Sequence, residues 1–241
     1  MLRSRIVRGL IALGAAAGLT LLTLDATVFA PVDVQAPPTP AVASPASENG
    51  APTDAATEVA DASLRLFRID PAQSEVRYEV GETFFSENNR FAIAVGRTSG
   101  ISGEILVDLD EPAASRVGEI VIDVSQFTSD ELRRDNYIRR SGLESARFPL
   151  ARFVPTAVEG LPASIPPGEE VAFTIRGDLT VKEVTRPAEW QVTARLESDR
   201  LIGRAEGEIL MSDFGVGPIR IPFLATEDEV TLVLEFVAVA P

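Results

Sequence analysis

From Leu64 to Pro241, apolar and polar residues alternate in short runs. Val76, Tyr78 and Val80 alternate with Arg77 and Glu79, and Phe91, Ile93 and Val95 alternate with Ala92 and Ala94. Ile101, Ile105, Val107 and Leu109 share one parity, as do Ile120, Ile122 and Val124. Val171-Phe173-Ile175, Trp190-Val192-Ala194-Leu196 and Val230-Leu232-Leu234-Phe236-Ala238 follow the same rule. Period-two alternation bounded by Gly, Pro, Asp and Asn predicts antiparallel strands with one covered face, and about eight such runs fit in this region. One stretch reads as helix, over 130–143. Ser129 is its expected N-cap, Asp130 and Glu131 lie in its first turn, Arg139 and Arg140 in its last, and Gly142 sits at the stop. Leu132, Tyr137 and Ile138 give it a thin apolar stripe, fit for a lid or buttress on a sheet.

A sheet with one covered face must meet a second sheet or close on itself. An immunoglobulin-type sandwich would place a Trp between strands and a Tyr just before a late strand centre, and neither is found. The predicted class is therefore all-β, an antiparallel barrel of about eight strands with one short helix, whose interior holds side chains or one small ligand. The inward parity is almost wholly apolar, so a ligand there would be apolar. On pattern alone, a core filled by side chains accounts for the same residues.

The chain before this region differs in character. Arg3, Arg5 and Arg8 precede an uncharged run from Gly9 to Leu24. A basic segment before an apolar one at the N-terminus reads as an export signal, although the run is shorter than the about 20 residues usual for a spanning helix. Cleavage after Ala30 or Ala36 and retention of residues 9–24 as a membrane tether both fit. Residues 31–62 are rich in Pro, Ala, Ser, Thr and acids, a composition expected of a disordered linker. The expected organisation is a signal or anchor over 1–30, a linker over 31–62 and one folded domain over 63–241, with an extracytoplasmic location in the periplasm or cell envelope.

Composition removes most chemistry from this domain. The chain contains no Cys and no His. That excludes disulfides, thiolate nucleophiles, imidazole bases, imidazole metal sites and His-ligated haem. With Lys+Arg 22 against Asp+Glu 36 the net charge is −14, which disfavours nucleic acid and broad adsorption on anionic lipid. Asp213-Phe214-Gly215 lacks the loops that accompany a kinase metal tripeptide, and Asp108-Leu109-Asp110-Glu111 lacks the glycine and terminal glutamate of a calcium loop. The single lysine, Lys182, has no signature serine for a Ser-Lys dyad. Paired acids of glycosidase type are not resolved by sequence, because their separation is unknown. No cofactor, metal or catalytic residue is expected.

More specific are Phe67-Arg68-Ile69-Asp70-Pro71-Ala72-Gln73-Ser74, Val95-Gly96-Arg97-Thr98-Ser99-Gly100-Ile101-Ser102-Gly103-Glu104-Ile105 and Asp123-Val124-Ser125-Gln126-Phe127-Thr128-Ser129-Asp130. Arg133-Arg134-Asp135-Asn136-Tyr137-Ile138-Arg139, Ala146-Arg147-Phe148-Pro149 with Phe153, Gly177-Asp178-Leu179-Thr180-Val181 and Val184-Thr185-Arg186-Pro187 follow in order. From Leu64 to Val239 this succession resembles the YceI-like family of lipid- and polyisoprenoid-binding proteins. The resemblance implies a lipocalin-like barrel, exported to the periplasm or envelope, with a long isoprenoid or similar lipid in its lumen and no catalytic residues. Gln73-Ser74 stands where relatives often carry His-Ser, and Asn136-Tyr137 falls where they carry a His after Arg-Asp-x. These departures remove imidazole contacts to a head group.

The expected function is non-enzymatic: an exported protein that sequesters, stores or moves a polyisoprenoid, quinone-like or fatty ligand. The alternatives are an envelope structural or interaction module with a filled core, and an enzyme acting on a lipid. Homodimerisation is left open. Lumen candidates are Phe84, Phe91, Phe127, Phe148, Phe153, Phe173, Trp190, Met211, Phe214 and Phe236, since aromatics and Met adapt to apolar ligands. Ordinary core packing competes for each. Arg133, Arg134 and Tyr137 are head-group candidates, because Arg forks match phosphate or carboxylate. Arg133 or Arg134 could instead pair with Asp135, while Arg139 and Arg140 read as a solvated helix face.

Overall fold

The computed structural model describes residues 64–241. The expectations for the export signal and for the linker over 31–62 lie outside the described residues. In chain order the strands are β1 (Leu64–Ile69), β2 (Glu75–Phe84), β3 (Arg90–Thr98), β4 (Ile101–Ser102), β5 (Glu104–Asp108), β6 (Arg116–Val117) and β7 (Ile120–Asp123). After the helix α1 (Leu132–Tyr137) come β8 (Leu150–Glu159), β9 (Glu170–Val181), β10 (Val184–Glu197), β11 (Arg200–Leu210), β12 (Arg220–Ile221) and β13 (Leu224–Val239). Among the described residues no helix is long and apolar enough to cross a membrane.

Several strands are segments of one longer, bent strand. β1 and β2 lie end to end along β13, with Ile69 opposite Ala238 and Glu75 opposite Glu235. β3 runs back along β2, and β5 continues it along β1. β6 pairs β5, β7 pairs β4 and β8, and β8, β9, β10, β11 and β13 follow as antiparallel neighbours. Grouped as β1–β2, β3–β5, β6–β7, β8, β9, β10, β11 and β13, the segments make eight bent strands curled into the barrel that the periodicity predicts. β3 meets the loop after β7 through a lone bridge, Arg97 to Thr128.

The side-chain pattern explains the strand positions. Trp190, Val192, Ala194 and Leu196 of β10 are all buried, as are Ile120 and Val124, so the inward parity holds there. Pro187 sits in β10 opposite Asp178 of β9, before the β10–β11 ladder starts at Gln191, so its missing N–H costs no pairing. The register shift in the β8–β9 ladder falls between Pro155 and Ala157. On the outer face, charged residues pair along and across strands: Arg77 with Glu79 of its own strand and Glu235 of β13, and Arg176 with Glu159 of β8 and Glu189 of β10. Pairs this exposed contribute about 0–1 kcal/mol each and chiefly keep the surface hydrated.

Two sequence expectations are corrected. In β3 the residues facing inward are Ala94, Gly96 and Thr98, whereas Phe91 is 53% exposed and Ile93 is exposed beside it. Both parities of this strand are apolar, and the partner decides: Val80 is opposite Ala94 and Tyr78 opposite Gly96. A Cβ at Gly96 would overlap the Tyr78 ring, so the bulk of β2 requires small residues across from it.

The helix also differs. Ser129 does not cap it; the Glu131 carboxylate does, accepting from the Arg133 amide at 3.0 Å. Ser129 instead donates from its amide and its hydroxyl to Asp135 Oδ1, at 3.0 and 2.6 Å. The α-helix widens into a π-turn over Ile138–Gly142, which completes the predicted 130–143 span. Its expected apolar stripe does not dock: Leu132 is 69% exposed and Tyr137 44%, leaving Ile138 to face inward. The helix is held by polar groups. Arg139 is half-buried rather than solvated and donates to the carbonyls of Ser125 and Phe127, at 3.2 and 2.8 Å. The Lys182 ammonium, in the β9–β10 turn, donates to the Gly142 carbonyl and pairs with Glu144 at 2.5 Å. The lone lysine is thus a structural tie.

Candidate functional site

The barrel interior contains two apolar cavities that share Val76, Ile122 and Trp190 as wall residues. The larger is about 140 Å³ and the smaller about 80 Å³. Strands supply most of each wall. In the larger cavity, the π-turn adds Ile138 and Gly142, and the stretch after β11 adds Met211, Phe214, Val216 and Ile219. These two stretches lie outside the main ladders.

Seven of the ten lumen candidates line these cavities. Phe127, Met211 and Phe214 face the larger, Phe153, Phe173 and Phe236 the smaller, and Trp190 both. Phe91 does not, because β3 turns it outward. Phe84 lies at the end of β2, where the Arg90 guanidinium stacks 4.3 Å from its ring centre. Phe148 precedes β8 and is covered in the same way by Arg147 at 4.6 Å. Neither lines a cavity, since each falls beyond the inward-facing part of its strand.

Trp190 occupies the junction. Its ring packs edge-on against Phe153 at 5.7 Å, and the residue is 8% exposed. Among the described residues no acceptor lies within hydrogen-bond reach of its Nε1–H. Buried donors usually find a partner, and leaving one unmet costs about 1–3 kcal/mol.

Polar groups gather at one side of the larger cavity. Of the three head-group candidates only Arg134 lines it; Arg133 and Tyr137 lie on the outer side of α1, exposed. Arg134 is already engaged. Its Nε and an Nη donate to the two carboxylate oxygens of Glu82 at 3.0 and 2.9 Å, and its other Nη donates to Ser129 Oγ and Asp130. Glu82, 3% exposed, is also in the cavity wall. The pair joining helix to barrel is therefore Arg134–Glu82 and not an arginine with Asp135, which holds Ser129 and faces Arg139 at 3.9 Å. Burial alone would lower the Arg134 guanidinium, but hydrogen bonds to Glu82 and Asp130 outweigh it and hold the group above its ordinary range. Tyr78 completes the cluster, with its ring against Phe127 at 5.3 Å. Burial pushes its phenol up to about 12, with Arg134 acting downward and Asp135 and Glu82 upward.

Glu82 and Tyr78 escaped the sequence reading, although a signal was present. Glu82 continues the inward parity of Val76, Tyr78 and Val80, so an acid falls where the pattern calls for an apolar residue. Among the described residues no group of acids is arranged to hold a metal ion.

Comparison with known proteins follows the same outline. The YceI-like domain model matches residues 67–238. "Protein YceI" from Escherichia coli O157:H7 is 28% identical over 128 residues, a match covering 50% of this chain and 62% of the relative's length. BcnA from Burkholderia cenocepacia shares the fold with a TM-score of 0.55 at 21% identity, over 70% of this chain and 98% of that one. A polyisoprenoid binding domain from Saccharophagus degradans, implicated in plant cell wall breakdown, superposes with a TM-score of 0.53 at 14% identity, over 73% and 98%.

Proposed function

Because the chain belongs to the YceI-like domain family, as the match over residues 67–238 establishes, we propose that it binds a long apolar ligand, a polyisoprenoid, quinone-like or fatty molecule, inside the barrel. The observation that carries this reading is the pair of cavities meeting at Trp190, walled almost wholly by apolar side chains. Apolar area removed from water contributes about 25 cal/mol per Å², so a long tail binds firmly with few polar contacts. The polyisoprenoid binding domain of Saccharophagus degradans, which has the same fold, supports the ligand class. The role is carriage or storage rather than catalysis, and the basic and apolar N-terminus supports an exported protein, cut or tethered.

Volume sets a condition on loading. A dry cavity of about 150 Å³ accepts a molecule the size of benzene, and the larger cavity here is about 140 Å³. A long tail therefore enters by displacing the walls least bound to the ladders, Ile138–Leu143 and Met211–Ile219. Native mass spectrometry and solvent extraction of protein purified from its own host, with a lipid-uptake assay alongside, test the reading. A co-purifying long-chain lipid, or uptake of one per barrel, is expected. Absence of both would leave the filled-core module as the better account.

A further inference from the structure

At one end of the barrel the outer face carries an apolar patch. Phe85, Phe91, Ile93 and Phe223 are 42% to 57% exposed there. The register puts them on one face: Phe91 is opposite Thr83, Thr83 is opposite Ala225, Ile93 is opposite Gly81, and the Phe85 amide donates to the Phe223 carbonyl at 2.9 Å. Gly81 makes room for the Phe91 ring, which lies over it. Glu82, Ile219 and Thr226, close to these residues along the chain, are wall of the larger cavity, so patch and cavity share this end.

Area and charge together decide what covers the patch. At about 150–250 Å² for an aromatic side chain, the four residues expose on the order of 400 Å², about half of the roughly 800 Å² that each side of a stable protein pair buries. Interfacial binding to lipid has no such threshold and scales with the apolar area inserted. Arg90, stacked on Phe84, and Arg220, opposite Ala225, border the patch with Glu87 and Glu227. The border is thus balanced in a molecule of net charge −14, which suits a zwitterionic surface and not an anionic one. The chain before the barrel is long enough to allow this. β13 runs from Leu224, beside the patch, to Val239, beside β1, and its 16 residues span about 50 Å. Residues 25–63 can reach about 130 Å at about 3.3 Å per residue, so a chain held in a membrane by residues 9–24 can still turn its far end to the lipid.

We propose that this end of the barrel docks on a neutral lipid surface, with Phe85, Phe91 and Phe223 inserted among the head groups, and that the larger cavity exchanges its ligand there. The exchange rests on the lumen binding proposed above, since a long-chain ligand has almost no free concentration in water; the docking does not.

The chain has no Cys, so Ser86→Cys, at the patch, and Asp199→Cys, at the opposite end where Arg65 donates to the Ser198 carbonyl, each give one site for an environment-sensitive dye. With the full chain and phosphatidylcholine vesicles, the dye at position 86 should brighten and shift to the blue, and the dye at position 199 should not. Phe91→Ser with Phe223→Ser, both at exposed positions, should raise the lipid concentration giving half the response by about tenfold or more. A response at position 199 alone, at both positions alike or at neither overturns the docking, as does one at position 86 that follows protein concentration without vesicles, the mark of a second copy on the patch. Uptake of geranylgeraniol from detergent, without vesicles, reads lumen binding separately and should be unchanged in the double variant. Failure of docking with uptake intact leaves lumen binding standing; docking without uptake by the wild type overturns the ligand exchange.

Discussion

Glu82 and Arg134 show how much one buried residue can change a site. Neither is costly while paired, but a charge left alone in this wall has no compensation. Arg134→Met should therefore lower unfolding stability by about 3–5 kcal/mol, and adding Glu82→Met should recover most of it. Chemical denaturation of the two single variants and the double variant checks this; additive losses would show the pair to be uncoupled. Asp123 makes the corresponding point for pH. Burial works to raise its carboxyl, but hydrogen bonds from the Ser125 hydroxyl, the Gln126 amide and the Ser125 backbone hold it below its usual range. A carboxylate depressed in the folded state contributes stability that is complete above its unfolded value, about 3.9, and is lost as pH falls through the folded one. Asp123→Asn should accordingly flatten the acid side of the stability profile below about pH 4 and reduce stability above it. An unchanged acid slope would exclude Asp123 as a contributor. The role of Glu82 was legible only as an acid out of pattern; its partner is 52 residues away, and no local rule connects them.

At the scale of elements, strands were readable where only one face is apolar. β10 alternates strongly, and its expected inward residues are buried; in β13 Val230, Phe236 and Ala238 are buried as expected, but so is Val233 on the opposite parity. β3 was not readable, because Ala and Gly on one face and Phe, Ile and Val on the other are both apolar, and only the register against Tyr78 and Val80 chooses. The helix was found by its charges and terminal residues, yet its docking was misread, since Arg134, Asp135 and Arg139 anchor it in place of Leu132 and Tyr137. Such a short helix has little stability of its own. Amides in 132–143 and 211–219 should exchange with deuterium faster than those of β9, β10 and β11, and loading with a long-chain lipid should slow the first group selectively. Uniform protection before and after loading would mean that the walls do not move, and the loading route proposed for long tails would fail.

For the whole molecule, the two absences in composition and the strand period bounded the answer before any contact was known. Without Cys or His, what remains is a barrel with a hydrated, charge-paired exterior and an apolar interior, and the family match runs through nearly all of it. The depth of the lumen was not legible, because the same inward residues describe a filled core or a lined cavity; side-chain volumes across the barrel decide between them. The molecule carries its own reporter for that distinction. Trp190 is the single tryptophan and forms wall in both cavities. Titrating the lipid-stripped protein with geranylgeraniol while recording tryptophan emission tests the central claim most directly. Lumen binding predicts a saturable change in intensity or wavelength that ends at one ligand per chain; emission that stays constant, or drifts without saturating, would contradict it.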